Sequence, residues 1–338
     1  METIHNPIKM SAAELSFLWA TYLNDTMSVC VLHYFLQNAE DPEIKLLTEH
    51  ALELSQQHVS IIKRMFINEN ITVPQGFTEH DVNLKAERLF SDIFYLKYIK
   101  NMAGGGLAGY SRMLPNIYRE DIKNFYSKAL TSALELERKA TQVALEKGLA
   151  IRPPSIPYPQ KVEFVHKQSF FLEGLGRRGS LSGTEISHLH FNIETNQLGA
   201  SISTAFSQAA KTKKVKNYFL RGKEIAIKHQ RVFKDYLEKN SLPVPPGFEQ
   251  EVTSSVDSPF SDKLMMFHFS LMIYAGIGNY GIAISESQRS DLVIDYSRLN
   301  AEVLKYSEDG INIMVANEWL EQPPLSVDRK NLTKRQSL

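Results

Sequence analysis

The chain has 338 residues, too many for one small core and suited to two domains of roughly 100–200 residues each. Its 38 basic and 38 acidic side chains cancel, and neither sign is gathered into a block, which excludes the electrostatic footprint of a nucleic-acid or anionic-membrane binder. The single cysteine, Cys30, rules out an intramolecular disulfide, and residues 1–7 (METIHNP) lack the basic and apolar regions of a secretory signal, so a reducing, cytoplasmic location is expected.

The first predicted helix opens on Ser11-x-x-Glu14, a pattern in which the serine caps an orphan amide and the glutamate reaches back to the cap's own amide. Apolar residues then recur at three- and four-residue spacing (Leu15, Leu18, Tyr22, Val29, Leu32, Leu36), one helical stripe that Asp41-Pro42 ends. The second helix carries the lane Ile44, Leu47, Ala51, Leu54, His58, Ile61 and Met65, a seven-residue repeat suited to a bundle. A connection of about eighteen residues follows, long enough to run the length of a bundle, as ferritin-like folds require. A third helix over 86–114 and a fourth over 116–147 are joined at Pro115 by a short turn that makes them antiparallel neighbours. The fourth has the lane Ile122, Tyr126, Ala129, Ala133, Leu136, Ala140 and Val143, with no carboxylate or histidine in it.

Residues 151–160 hold four prolines, which bars a helix and predicts a stiff connector. Residues 161–180, with Gly174, Gly176 and Gly179, read as an arm or loop before a second capping box, Ser182-x-x-Glu185. From there the chain repeats itself. Ser11 falls on Ser182 and, without a gap, Phe77 falls on Phe248; after one deletion Phe90 falls on Phe260, Tyr110 on Tyr280, Arg119 on Arg289 and Pro153-Pro154 on Pro323-Pro324. The expected organisation is all-α, two tandem ferritin-like four-helix bundles from internal duplication: residues 1–155, a linker or arm at 156–180, a second bundle at 181–327, and a polar tail at 328–338 expected to be disordered. Residues 264–285 carry no formal charge and are long enough to span a membrane, but His268, Ser270 and Asn279 within them favour a buried core helix.

A dimetal bundle site needs a Glu from each of two helices and Glu-x-x-His from the other two, and neither copy has that set. What remains is Asp25, a carboxylate inside the stripe of helix one, and His58, which antiparallel geometry puts at nearly the same height on helix two. The plain reading is a structural Asp–His hydrogen bond, with Tyr22, Tyr110 or Tyr126 as further partners. The sharper reading is one divalent metal (Fe, Zn or Mn) on Asp25, His58 and Glu53, with Asn196, His229 and Glu224 as a degenerate second-copy set. No catalytic residue is identified. Gly104, Gly105 and Gly106, and Gly276, Gly278 and Gly281, are expected to let helices approach closely, Cys30 to be an inert core thiol, and Arg119 with Asp121 to form a solvated cluster at the start of helix four.

These residues resemble the domain of unknown function 3231 family of endospore-forming bacteria. The likeness rests on Leu18-Trp19 with Asp25, Glu40-Asp41, His58, Pro74-x-Gly76-Phe77, Asp81-Val82, Leu89-Phe90-Ser91-Asp92, Arg119-x-Asp121, and Lys147-Gly148 running into Arg152-Pro153-Pro154. Copy two departs at His190, at Asn196 and in the segment matching Asp81-Val82. The resemblance implies ferritin-like bundles, some likeness to spore coat proteins, and no activity to transfer. The expected role is therefore non-enzymatic, structural and spore- or stress-associated, in the cytoplasm, the forespore or the spore coat, with self-association or spore-layer proteins as partners. A metal-dependent bundle protein is the alternative, and a small apolar-ligand carrier using space at the helix-three glycines is the second.

Overall fold

The computed structural model describes residues 8–165 and 180–329; Gly174, Gly176, Gly179 and nearly all of the polar tail lie outside the described residues. Eight α-helices of 22 or more residues are described: α1 (Ala12–Asn38), α2 (Pro42–Asn68), α3 (Asp92–Met113) and α4 (Glu120–Glu146) in the first copy, α5 (Gly183–Ala209), α6 (Lys213–Lys239), α7 (Asp262–Glu286) and α8 (Ser290–Ala316) in the second. No strand is described; two isolated antiparallel bridges are the only β pairing among the described residues. Residues 151–165 form neither helix nor strand.

Local chemistry fixes each helix end. Both capping boxes form, Ser11 with Glu14 and Ser182 with Glu185. Asp41 caps α2 through the amides of Glu43 and Ile44, ahead of Pro42. The third helix starts at Asp92, later than predicted, because Ser91 caps it and the Asp92 carboxylate reaches back to the amides of Glu40 and Asp41 at 3.1 Å each. Asp262 does the same for Lys211 and Thr212 in the second copy. Each long crossover therefore carries the chain from the far end of the second helix back to the turn between the first two, so that the third helix runs parallel to the second. The fourth helix also starts later than predicted, at Glu120, with Arg119 in the cap position.

The two copies clasp each other. Val82 bridges Phe260, and Phe90 bridges Val252. Each bridge is the image of the other under the repeat register, since Val82 corresponds to Val252 and Phe90 to Phe260. The same exchange holds for the amide of Ser91 on the carbonyl of Glu251 and that of Ser261 on Asp81, at 3.0 and 2.9 Å, and for the hydroxyls of Ser91 and Ser261 on the carboxylates of Glu251 and Asp81. An interface in which residue i meets j and j's counterpart meets i's is isologous, so the single chain folds as a pseudo-symmetric dimer.

The core follows this symmetry. A central apolar cluster draws on both copies, with Phe35, Phe90, Phe94 and Tyr95 from the first packed continuously with Phe206, Phe219, Phe248 and Phe260 from the second. Phe94 stacks on Phe248 across the boundary at 5.9 Å between centroids, and Tyr34 meets Phe260 edge-on at 5.3 Å. Each fully buried aromatic of this kind contributes about 1.5–3 kcal/mol. Two smaller clusters fill the outer ends: Leu18, Tyr22, Ile62, Phe66 and Tyr126 in copy one, Leu189, Ile193, Phe233, Leu237 and Tyr296 in copy two.

One helix among the described residues, α7, is long and apolar enough to cross a membrane by length and composition. Its first half is the core helix predicted, with Leu264, Met265, Met266 and His268 buried. Its second half buries Tyr280 and Ala283 but leaves Tyr274 and Ile282 each 50% exposed.

Candidate functional site

The stripe of α1 and the lane of α2 do bring the two predicted polar residues together. Asp25 Oδ2 lies 3.1 Å from His58 Nδ1, with Asp25 buried and the imidazole nearly so. Burial pushes the Asp25 carboxyl above its ordinary value, and the His58 ring and the Ser55 hydroxyl only partly offset this. The imidazole is boxed by the edges of Phe125 and Tyr110, with centroids at 5.3 and 6.2 Å. Of the tyrosines expected nearby, Tyr126 turns to the Thr21 hydroxyl at 3.0 Å.

Glu53 is not part of this arrangement. Five residues from His58 on a helix, it faces outward and is exposed, as is Glu224 in the second copy. The donor set does not fit a divalent ion. Two groups are present where structural and catalytic sites use three or four, and they face each other at hydrogen-bonding distance. Among the described residues no group of three His, Cys, Asp or Glu side chains is placed to hold a metal.

The second copy solves the same position differently. Asn196 donates to the Tyr280 hydroxyl at 2.8 Å, Tyr280 lies 2.9 Å from His229 Nδ1, and His229 Nε2 lies 3.1 Å from Glu302, which also takes Lys228 at 2.8 Å. One side chain from each of α5, α6, α7 and α8 thus forms a chain of hydrogen bonds from the surface to a buried phenol. Burial lowers the His229 pKa against the pull of Glu302. Glu302 could not be found from the repeat, because Ser132 stands at its position in copy one.

Glu14 does more than cap α1. Its Oε2 accepts from the Ser11 amide at 2.7 Å, and its Oε1 accepts from the amides of Tyr118 and Arg119 at 2.9 and 2.8 Å, tying the start of α1 to the start of α4. Glu185 repeats this at Gln288 and Arg289. Arg119 does cluster with Asp121, doubly bonded to it and also paired with Glu69 at 2.6 Å, but its side chain is largely buried rather than solvated. Cys30 is buried, its thiol directed at the Thr78 carbonyl and its pKa pushed up to about 12, chiefly by burial.

The helix-three glycines depart from expectation. A Cβ on Gly104, Gly105, Gly276, Gly278 or Gly281 would meet nothing within 4 Å; Gly106 alone is packed, against Ala133 and Tyr110. The close approaches occur instead at Gly222 and Gly310, where a side chain would collide with Tyr306 and Tyr218, two rings stacked 4.3 Å apart.

Comparison with known proteins places the chain without assigning it an activity. The model of a family described as "Protein of unknown function (DUF3231)" matches residues 1–162 and again 169–332, one match per copy. A crystal structure of a "putative spore coat protein" from Bacillus halodurans C-125 aligns with a TM-score of 0.41 and 17% identity, covering 44% of this chain and 98% of that one. No curated protein matches the sequence.

Proposed function

The chain belongs to the DUF3231 family of proteins of unknown function, and from that premise we propose that it is a non-enzymatic structural protein that assembles with further copies of itself, in association with the spore. The observation that carries this reading is the outward face of α7, where Tyr274 and Ile282 are half exposed beside Gly278 and Gly281, whose surroundings are open. Each glycine inside a helix costs about 0.5–1 kcal/mol relative to alanine. A helix of a second copy laid against that face would offset this cost, because glycine lets two backbones approach. The pseudo-dyad puts Gly104 and Gly105, whose surroundings are also open, on the corresponding face of α3, where Arg112 stands in place of Ile282, so the apolar face is offered by α7 and a smaller, charged-edged one by α3. The polar centres support a structural role as well, since Asp25 is spent on His58 and His229 on Tyr280 and Glu302. Association with the spore rests on the family resemblance.

Light scattering of the full chain tests the assembly. The wild type is expected above monomer mass and Tyr274→Lys/Ile282→Lys at monomer mass with unchanged helicity; a monomeric wild type at the highest concentration attained removes the reading. A fluorescent fusion followed through sporulation tests the location, and signal that stays diffuse in the mother cell counts against it.

A further inference from the structure

Along the side of the first bundle, α1, α2 and the beginning of the crossover leave a cleft of about 430 Å³, lined among others by Tyr22, Val29, Val59, Lys63, Val73 and Phe77. That volume lies in the range of about 300–1,000 Å³ common for small-molecule sites. Apolar surface outweighs polar in the lining of the cleft, which also includes Thr26, Gln75 and Thr78. On its crossover side, level with Thr26, the chain turns through Pro74-Gln75-Gly76-Phe77, where Gly76 has φ of +62° and a side chain there would meet the Thr26 hydroxyl at 2.5 Å. This turn presents two successive amides to one carboxylate: Glu321 Oε2 accepts from Gln75 at 3.0 Å and Oε1 from Gly76 at 2.7 Å. Glu321 follows α8 of the other copy, and its charge also reaches the Tyr22 phenol in the cleft.

The second copy has no such device. Pro246 stands in place of Gln75 and has no amide hydrogen to donate, and Ile151 stands in place of Glu321. Lys63 is exposed on the cleft and forms no ion pair among the described residues. An anion-holding turn, an unpaired cation and an apolar trough are therefore joined in one copy only, with a carboxylate of the chain itself seated on the turn.

We propose that this cleft binds an amphipathic carboxylate, a medium-chain fatty acid, whose head group replaces Glu321 on the amides of Gln75 and Gly76 with Lys63 as counter-ion. The aliphatic tail lies along Val29, Val59 and Val73. Glu321 is the competitor built into the chain, and ligand binding releases its segment from the first copy. Trp319, two residues before it, packs against the shared core and is one of two tryptophans in the sequence, so its fluorescence reports the release.

The test is calorimetric titration of the full chain with decanoate, decanol and acetate at neutral pH, with tryptophan emission recorded alongside. Decanoate is expected to saturate at one per chain, with decanol and acetate at least about tenfold weaker. Glu321→Gln is expected to tighten decanoate about tenfold, the loss of one competing charged contact. Val59→Trp, which fills the trough from the α2 side, is expected to abolish binding with helicity intact. Absence of saturable decanoate binding in both the wild type and Glu321→Gln overturns the proposal. So does equal affinity for decanol, which leaves only an apolar groove, or undiminished binding in Val59→Trp.

Discussion

Tyr98 and His268 occupy the same position in the two copies, and the phenol oxygen of the first lies 2.7 Å from Nε2 of the second. A residue that touches its own counterpart must stand on the pseudo-two-fold axis. Burial holds the proton on the tyrosine and pushes the imidazole down to about 4, so the phenol donates to a neutral ring whose Nδ1 has no partner. The unfolded chain binds a proton at the same imidazole near its ordinary 6.5. A base depressed on folding stabilises the protein above the unfolded value and loses that contribution as pH falls toward the folded one. Stability should therefore drop between about pH 6.5 and 4, by on the order of 3 kcal/mol from this residue. Urea titrations of His268→Phe across that interval should show a flatter pH dependence than the wild type, whatever the variant's stability at neutral pH.

Glu14→Ala leaves the amides of Ser11, Tyr118 and Arg119 without their shared acceptor. The expected loss is roughly 2–4 kcal/mol in urea unfolding, the cost of a lost cap plus buried donors left unpaired. Glu185→Ala should cost a similar amount, because the second copy repeats the contact. A loss well under 1 kcal/mol at both positions would mean that water replaces the carboxylate without penalty.

Asp25→Asn installs the residue that the second copy carries at Asn196. Burial raises the Asp25 carboxyl above its ordinary value, so folding favours the protonated form. Its unfavourable contribution is present at neutral pH and fades as pH falls through the folded value toward the unfolded 3.8. The variant should be more stable than the wild type at pH 7, and the difference in urea midpoint should shrink at pH 4.5. Equal midpoints at both pH values would show that His58 fully compensates the charge.

Glycines in this chain divide into two kinds, and alanine substitution separates them. Gly281→Ala adds a methyl group to open space and should stabilise the isolated molecule by about 0.5–1 kcal/mol. Gly76→Ala meets both a left-handed backbone and the Thr26 hydroxyl, and should destabilise it. Thermal unfolding at low protein concentration is the measurement, since association would mask the first effect.

Much of this architecture is legible in the sequence. Helix ends were visible wherever a short-range pattern specified them, as at Ser11 with Glu14 and at Asp41-Pro42, and counting residues from the α1–α2 turn placed Asp25 opposite His58. The failures share a cause. Residues 86–91 resemble a helix start because nothing local reveals that Phe90 and Ser91 are committed to Val252 and Glu251. Two isolated bridges produce no alternating pattern. Glu302 belongs to the His229 chain through packing of α8 on α6, which no spacing within either helix encodes. Glu53 lies near His58 in sequence, which suggests a ligand pair, but helical geometry turns the two apart. The glycines misled because composition cannot distinguish a surface turned inward from one turned out.

The clasp between the crossovers has a consequence for how the protein is made. When the first four helices have left the ribosome, the amides of Asn83 and Ser91 still lack the carbonyls of Pro259 and Glu251. The farther of those partners, Pro259, lies about 113 residues beyond the end of α4, which at roughly 5–20 residues per second is a wait of about 6–23 s. Through that interval the nascent half exposes Phe90, Phe94 and two unsatisfied backbone donors to its surroundings. Synthesis of this chain therefore passes through a stage in which one half of the shared core waits for the other.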